Sequence, residues 1–182
     1  NEFKDSAGNG NKVSDIFSWK YDNINPNATL SSPDVTIKQY TNIATITVNF
    51  TSNEIIGSFN VDNFSLDNCN YVANSLTSVD EYKYIAEFTA IDEKQCSVQL
   101  KSGAFTDQAG NLNNQYDSFT WYYDKTSPTV TIESNDVELN GYTNLQTVTL
   151  NFTTSEHTDN FIFNDTLGNY TAINCSYING TL

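Results

Sequence analysis

From Thr45 to Thr51 the chain alternates without a break: Ile46, Val48 and Phe50 are apolar, and Thr45, Thr47, Asn49 and Thr51 are polar. A period of two residues puts one set on each face of a strand, so the stretch predicts a half-buried β-strand. Thr147–Thr153 repeats the pattern. Tyr82–Ala90 alternates more loosely, and Cys96–Leu100 and Ser118–Tyr122 complete a series of short strands. No segment carries a 3.6-residue apolar stripe of useful length. Short alternating strands separated by turn residues predict an all-β fold, a sandwich of two sheets.

The chain also repeats itself. "FKDSAGNGNKVSDIFSWKYDNINP" (3–26) and "FTDQAGNLNNQYDSFTWYYDKTSP" (105–128) align without a gap at an offset of 102, with 12 of 24 positions identical. "TNIATITVNFTSNE" (41–54) answers to "TNLQTVTLNFTTSE" (143–156) at the same offset, with 8 of 14 identical. "NCNYV" (68–72) answers to "NCSYI" (174–178) at 106, and "PDVTI" (33–37) to "PTVTI" (128–132) at 95, which predicts linkers of unequal length. A period near a hundred residues is the size of one sandwich domain. Three segments follow: 1–26 as the C-terminal strands of a preceding or neighbouring unit, 27–127 as a complete unit, and 128–182 as the N-terminal part of the next. Two arrangements account for this order. The chain is a window of a longer array, or 1–26 of one protomer completes 128–182 of another by strand donation; the window is the expectation.

The turn Asp107-Gln108-Ala109-Gly110-Asn111, the strand with Phe119, Trp121, Tyr123 and Asp124, and the exit with Pro128 and Val130 resemble the bacterial-type Ig-like repeat domains of large surface proteins and adhesins. Glu54 and Glu156 stand at the acid that follows the second strand in that pattern. The resemblance covers essentially the whole chain. It implies tandem immunoglobulin-like β-sandwich domains and says little about function, since one sandwich serves many roles. The cysteines and glycosylation sequons depart from the usual pattern and point to a secretory pathway and an extracellular or cell-surface location.

Charge narrows the partners. There are 22 acidic against 8 basic residues, a formal net charge of −14. Nucleic-acid backbones need Lys and Arg to displace counterions, so nucleic acid is excluded as a partner. No apolar run reaches the ~18 residues of a membrane span. Hydrophobic residues make up 38%, with 11 Phe, 11 Tyr and 2 Trp, enough for a substantial core.

Candidate chemistry is sparse. In the D-x-A-G-N turns, Asp107 and Asp5 are placed to accept backbone N–H bonds, and Gly110 and Gly8 supply a positive φ. The functional alternative is calcium held by Asp107, Asp124 or Glu54 oxygens, although no EF-hand-like spacing concentrates them. Calcium is thus the one candidate cofactor. Phe119 and Trp121 point inward by alternation, and Phe17 and Trp19 repeat their arrangement; Tyr122 and Tyr82 are left to face outward. Cys69 and Cys96 lie in one unit and Cys175 is the copy of Cys69, so a Cys69–Cys96 disulfide is expected. Closing that loop stabilises by roughly 3 kcal/mol in the chain-entropy model. Sequons mark Asn49, Asn151 and Asn27 as the first glycosylation sites, then Asn63 and Asn164, then Asn169 and Asn179, with Asn174 last because Cys175 fills its middle position. His157 is the sole histidine, its counterpart is Ile55, and no nucleophile or acid pair accompanies it.

These readings describe a non-enzymatic structural component: an extracellular, N-glycosylated filament or stalk of tandem Ig-like repeats. Its partners are copies of itself or adjacent repeats end to end, and covalent N-glycans. The alternatives are the spacer of a calcium-stiffened adhesin, or a carbohydrate-binding module using exposed tyrosines.

Overall fold

In the computed structural model, residues 3–13 and 15–158 are described. The chain divides into two compact units, Asn1–Lys125 and Thr126–Leu182. Residues 1–26 fall within the first of these units.

The first unit contains β1 (Ala28–Ser31), β2 (Tyr40–Thr41), β3 (Thr45–Ser52), β4 (Ile56–Ser58), β5 (Phe64–Asp67), β6 (Cys69–Tyr71), β7 (Thr77–Ser78), β8 (Lys83–Ala90), β9 (Gln95–Leu100), β10 (Thr106–Asp107) and β11 (Asp117–Tyr123). Two sheets form: β1-β3-β8-β6, with β7 also on β8, and β2-β11-β9-β5; β4 and β10 make a small separate ladder. The pairs are antiparallel except β2 on β11, which is parallel. The second unit contains β12 (Val130–Glu133) paired antiparallel with β13 (Asn151–Thr154).

Alternation decides which side chains meet between the sheets. Ile46, Val48 and Phe50 of β3 and Ala86 and Phe88 of β8 face Val98 and Leu100 of β9 and Phe119, Trp121 and Tyr123 of β11, all buried. Aromatic rings bridge the gap: Phe64 of β5 meets Phe88 of β8 edge-on at 5.6 Å, and Phe105 meets Phe50 edge-on at 5.1 Å. Phe59 stacks on Phe50 at 4.3 Å and closes the same cluster. Edge-on contacts suit the ring quadrupoles, and each ring withdraws a large apolar area from water.

Between β5 and β6 the chain crosses from one sheet to the other. Asn68 makes that corner with φ +52°. Asn tolerates the left-handed region because its amide can bond locally. Here the amide donates to the Asp92 carbonyl at 2.9 Å and its oxygen accepts from the Asp92 N–H at 3.1 Å, tying the corner to the connection by which the chain passes from β8 to β9 of the other sheet.

The 102-residue offset recurs as geometry. The Thr47 N–H donates to Asp34 Oδ2 at 2.6 Å, and the Thr149 N–H to Asp136 Oδ2 at 2.7 Å. Lys38 and Asn140 share φ values of +64° and +63°. Ala28 pairs with Ser52, and Val130 with Thr154. This corrects the offset of 95 for the "P-x-V-T-I" stretches. Val130–Glu133 is the counterpart of Ala28–Ser31, Pro128 answers to Pro26, and the two linkers have equal length. The shared letters of "PDVTI" and "PTVTI" belong to different structural positions.

Two expectations change with context. Thr147–Thr153 was expected to be one strand, yet β13 begins at Asn151. In β3 residues 45–48 are held by β8, and β1 reaches only residues 49–52. Among the described residues β13 has β12 alone, so only the counterpart of the β1-held half forms. Phe17 and Trp19 sit 5.9 Å apart, much as Phe119 and Trp121 do at 6.0 Å, but they are 86% and 76% exposed. No described strand pairs with their segment.

That contrast gives a paired test. Trp121→Ala is expected to cost about 3–5 kcal/mol, the range for emptying a buried aromatic site. Trp19→Ala is expected to stay within about 0.5 kcal/mol, as for an exposed position. Urea unfolding of both variants measures the difference.

Candidate functional site

The D-x-A-G-N turn is built twice in the same way. Asp107 Oδ1 accepts from the Asn111 N–H at 2.9 Å, and Oδ2 from the Asn111 amide at 2.8 Å. In the other copy Asp5 Oδ1 accepts from the Asn9 N–H and Oδ2 from the Asn9 amide, both at 2.8 Å. Gly110 has φ +90° and Gly8 φ +87°, a conformation that side chains rarely adopt. Burial pushes the Asp107 carboxyl up, but the Asn111 amide and the backbone N–H groups of Asn111, Ala109 and Gly110 outweigh it and hold it below the ordinary 3.8. Asp5 is likewise held down, chiefly by the Asn9 amide.

Around the second turn three carboxylates converge. Asp22, Glu54 and Asp107 each place one oxygen within 4.8 Å of the others. Asp107 is buried, Glu54 half-buried and Asp22 exposed. β10 fixes Asp107 opposite Ile56 of β4 through a bulge between Thr106 and Asp107. Gly57 lets the strands close, because a side chain there would run into the Asp107 carbonyl. Glu54 follows β3, its N–H bonded to Ser52 Oγ at 3.2 Å. The entering segment is clasped to the turn: the Asn111 amide also donates to the Asp22 carbonyl at 3.2 Å, and the Asn25 amide to the Leu112 carbonyl at 2.7 Å. Pro26 is fully buried, and Asn27 and Asn53 exchange bonds at 2.6 and 2.9 Å.

The donor set is all oxygen and carries three formal charges. That chemistry suits a hard divalent cation such as calcium, with the remaining ligands supplied by backbone or water. Of the expected candidates, Glu54 and Asp107 are brought together and Asp124 is not. The Asp124 N–H bonds the Thr41 carbonyl at 3.1 Å instead. Its counterpart at offset 102, Asp22, takes the third place, and the "Y-D" shared by residues 21–22 and 123–124 was the signal that could have named it.

The remaining candidates are scattered. Cys69 and Cys96 are buried free thiols in this structure, so the expected disulfide is not formed in it. Burial pushes Cys69 up to about 12, with the neighbouring Cys96 adding to the shift. Asn49 sits half-exposed on the outward face of β3, and Asn151 is exposed at the start of β13. Asn27 is half-buried with its Oδ1 enclosed, and Asn63 caps a short 3-10 turn by accepting from the Asn60 N–H at 2.9 Å. Asn164, Asn169, Asn174, Asn179 and Cys175 lie outside the described residues. Tyr122 is half-buried and stacks on Tyr40 at 4.8 Å, while Tyr82 is exposed. His157 is exposed. Among the described residues no helix is long and apolar enough to cross a membrane.

A family model described as "Bacterial Ig-like domain" matches residues 22–122. No curated protein and no solved structure matches.

Because the Asp107 carboxyl is held below 3.8, its bonds contribute stability that is fully present above that value and is lost as pH falls through the lower folded value. Asp107→Asn is therefore expected to lower stability near neutrality and to flatten the acid limb of the stability curve, since the contribution that acid would remove is already gone. Chemical denaturation between pH 5 and 2, with chelator present, reads this directly.

Proposed function

The chain belongs to the bacterial Ig-like domain family, and from that premise we propose that residues 27–127 are one link in an extracellular, N-glycosylated array of tandem Ig-like repeats, a structural filament or stalk. The observation that carries this reading is the recurrence of one geometry at offset 102 on both sides of the complete unit. The D-x-A-G-N turn recurs before it, and the hairpin of β12 and β13 recurs after it. A repeated unit entered through a clasped Pro-containing linker is the construction of a quasi-one-dimensional array. The sandwich is a non-catalytic fold type, which agrees with a mechanical part. Asn49 and Asn151, counterparts on outward strand faces, are the glycan positions this reading favours. Copies of the same unit, end to end, are the partners. Electron microscopy of the native particle is expected to show a fibre with an axial repeat of roughly 35–45 Å per domain, from typical strand and linker lengths. A compact particle without axial repeat overturns the reading.

The acidic cluster favours a second reading, in which the array is a calcium-stiffened adhesin spacer. Asp22 arrives from the entering segment, whereas Glu54 and Asp107 belong to the body of the domain, so a shared cation would fasten the linker to the sandwich. A ligand that binds only the folded state raises its stability by mass action. Millimolar calcium is then expected to raise the melting temperature by several degrees. The triple variant Asp22→Asn, Glu54→Gln, Asp107→Asn is expected to respond to calcium no more than to magnesium. Equal responses of the native chain and the variant leave the unassisted array as the function.

A further inference from the structure

The crossing from β5 to β6 sets two cysteines against each other, one from each sheet. Asp67 at the end of β5 lies opposite Ser97 of β9, and the chain then turns at Asn68 into the other sheet. Cys69 is the first residue of β6, opposite Ala90 of β8, while Cys96 of β9 lies opposite Trp121 of β11. The thiols bond reciprocally across the gap. Cys69 Sγ donates to the Ser97 carbonyl at 3.4 Å, and Cys96 Sγ donates to the Asn68 carbonyl at 3.3 Å. Each sulfur therefore touches the backbone beside the other cysteine. The Asn68 amide reaches Cys96 Sγ at 3.3 Å while it also anchors the Asp92 carbonyl, so the corner that carries Cys69 is fixed against the strand that carries Cys96.

We infer that Cys69 and Cys96 form an inter-sheet disulfide when the chain meets a disulfide oxidant. A disulfide requires the two backbones at short range, and here each sulfur lies within 3.4 Å of the backbone carbonyl beside the other cysteine. No other cysteine among the described residues competes. The oxidant is a small-molecule disulfide or a dithiol–disulfide oxidoreductase. A Cys69 or Cys96 thiolate attacks the oxidant's S–S bond, giving a mixed disulfide and one released thiol. The second thiolate then attacks the protein sulfur of that mixed disulfide and expels the other thiol. Two S–H bonds and the oxidant's S–S bond are lost; the protein S–S bond and two oxidant S–H bonds are gained, and two electrons pass to the oxidant. Both protein thiols are enclosed in the folded unit, so the exchange takes place while the chain folds or during an opening that exposes the corner. The inference stands without the array reading, because it concerns one domain alone.

Denatured chain carrying Cys175→Ser is refolded with a mixture of oxidised and reduced glutathione, then denatured and alkylated. The expected product is about 2 Da lighter than the reduced chain, resists alkylation at both positions, and yields one peptide pair joining Cys69 to Cys96. Its melting temperature is expected to fall by roughly 15 °C on reduction, the size of shift a loop-closing bond gives a domain of about 100 residues. Trp121, in register with Cys96, is expected to brighten on reduction, since a disulfide quenches a neighbouring indole. Cys69→Ala with Cys96→Ala, refolded in parallel, controls for folding and is expected to show none of these responses. Two alkylated thiols in a correctly refolded chain overturn the inference, as does a disulfide whose reduction leaves both melting temperature and Trp121 fluorescence unchanged.

Discussion

The contact of the two sheets across a shared set of phenylalanine rings is the constraint from which the larger unit follows. Phe64 belongs to one sheet and Phe88 to the other, and their edge-on packing admits only one spacing between the layers. Most inward positions of β3, β8, β9 and β11 are accordingly apolar, and most positions between them are polar. A one-residue slip in any of these strands would send its apolar set to the wrong face. Interiors of this density leave little room for adjustment. The sheets are thereby locked in register, and the loops at either end inherit fixed positions.

Those loops hold the polar features, and neutral amides organise most of them. Asn111 binds both oxygens of Asp107 and, through its amide, the Asp22 carbonyl. Asn113, almost fully buried, accepts from the Phe105 N–H and donates to the Lys101 and Gln115 carbonyls. Asn68 does the equivalent at the sheet-crossing corner. At Asn113 and Asn68 the amide satisfies backbone groups that a turn would otherwise bury unpaired, which costs more than the bond itself gains. A chain rich in asparagine is therefore fitting its corners with donors and acceptors as well as offering sequons.

The strands were legible because period-two alternation is a local property. The sheet partners are not local, and neither is burial. Trp19 and Trp121 occupy the same place in the repeated phrase, yet one is exposed and the other is enclosed, because only the second has β9 and β2 beside it. The acidic site was half legible for the same reason. Glu54 and Asp107 stand in recognisable motifs, but Asp22 joins them only because the entering segment folds back onto the turn, a contact that no spacing along the chain expresses. The short match of "PDVTI" to "PTVTI" misled in the opposite direction. Five letters of shared composition carried less information than the gapless offset on either side of them, and the Asp34 and Asp136 side chains, each accepting from the N–H of a threonine 13 residues on, show the true equivalence.

A repeat whose corners are fastened by amides and whose interior is apolar needs no ligand to hold its shape. The acidic cluster does not fit that economy. Three carboxylates gathered at the linker add repulsion to a chain already at −14, and hydrogen bonding within the turn compensates only Asp107. Asp22 accepts from the Ile24 N–H at 2.9 Å and Glu54 from the Asn53 amide at 3.4 Å, so their bonds are local ones, made where the entering segment meets the turn. Selection for stability of the isolated domain would replace them with neutral residues, since each can be changed without emptying the core. The cluster joins the entering segment to the body of the same unit, with Asp22 on one side and Glu54 and Asp107 on the other.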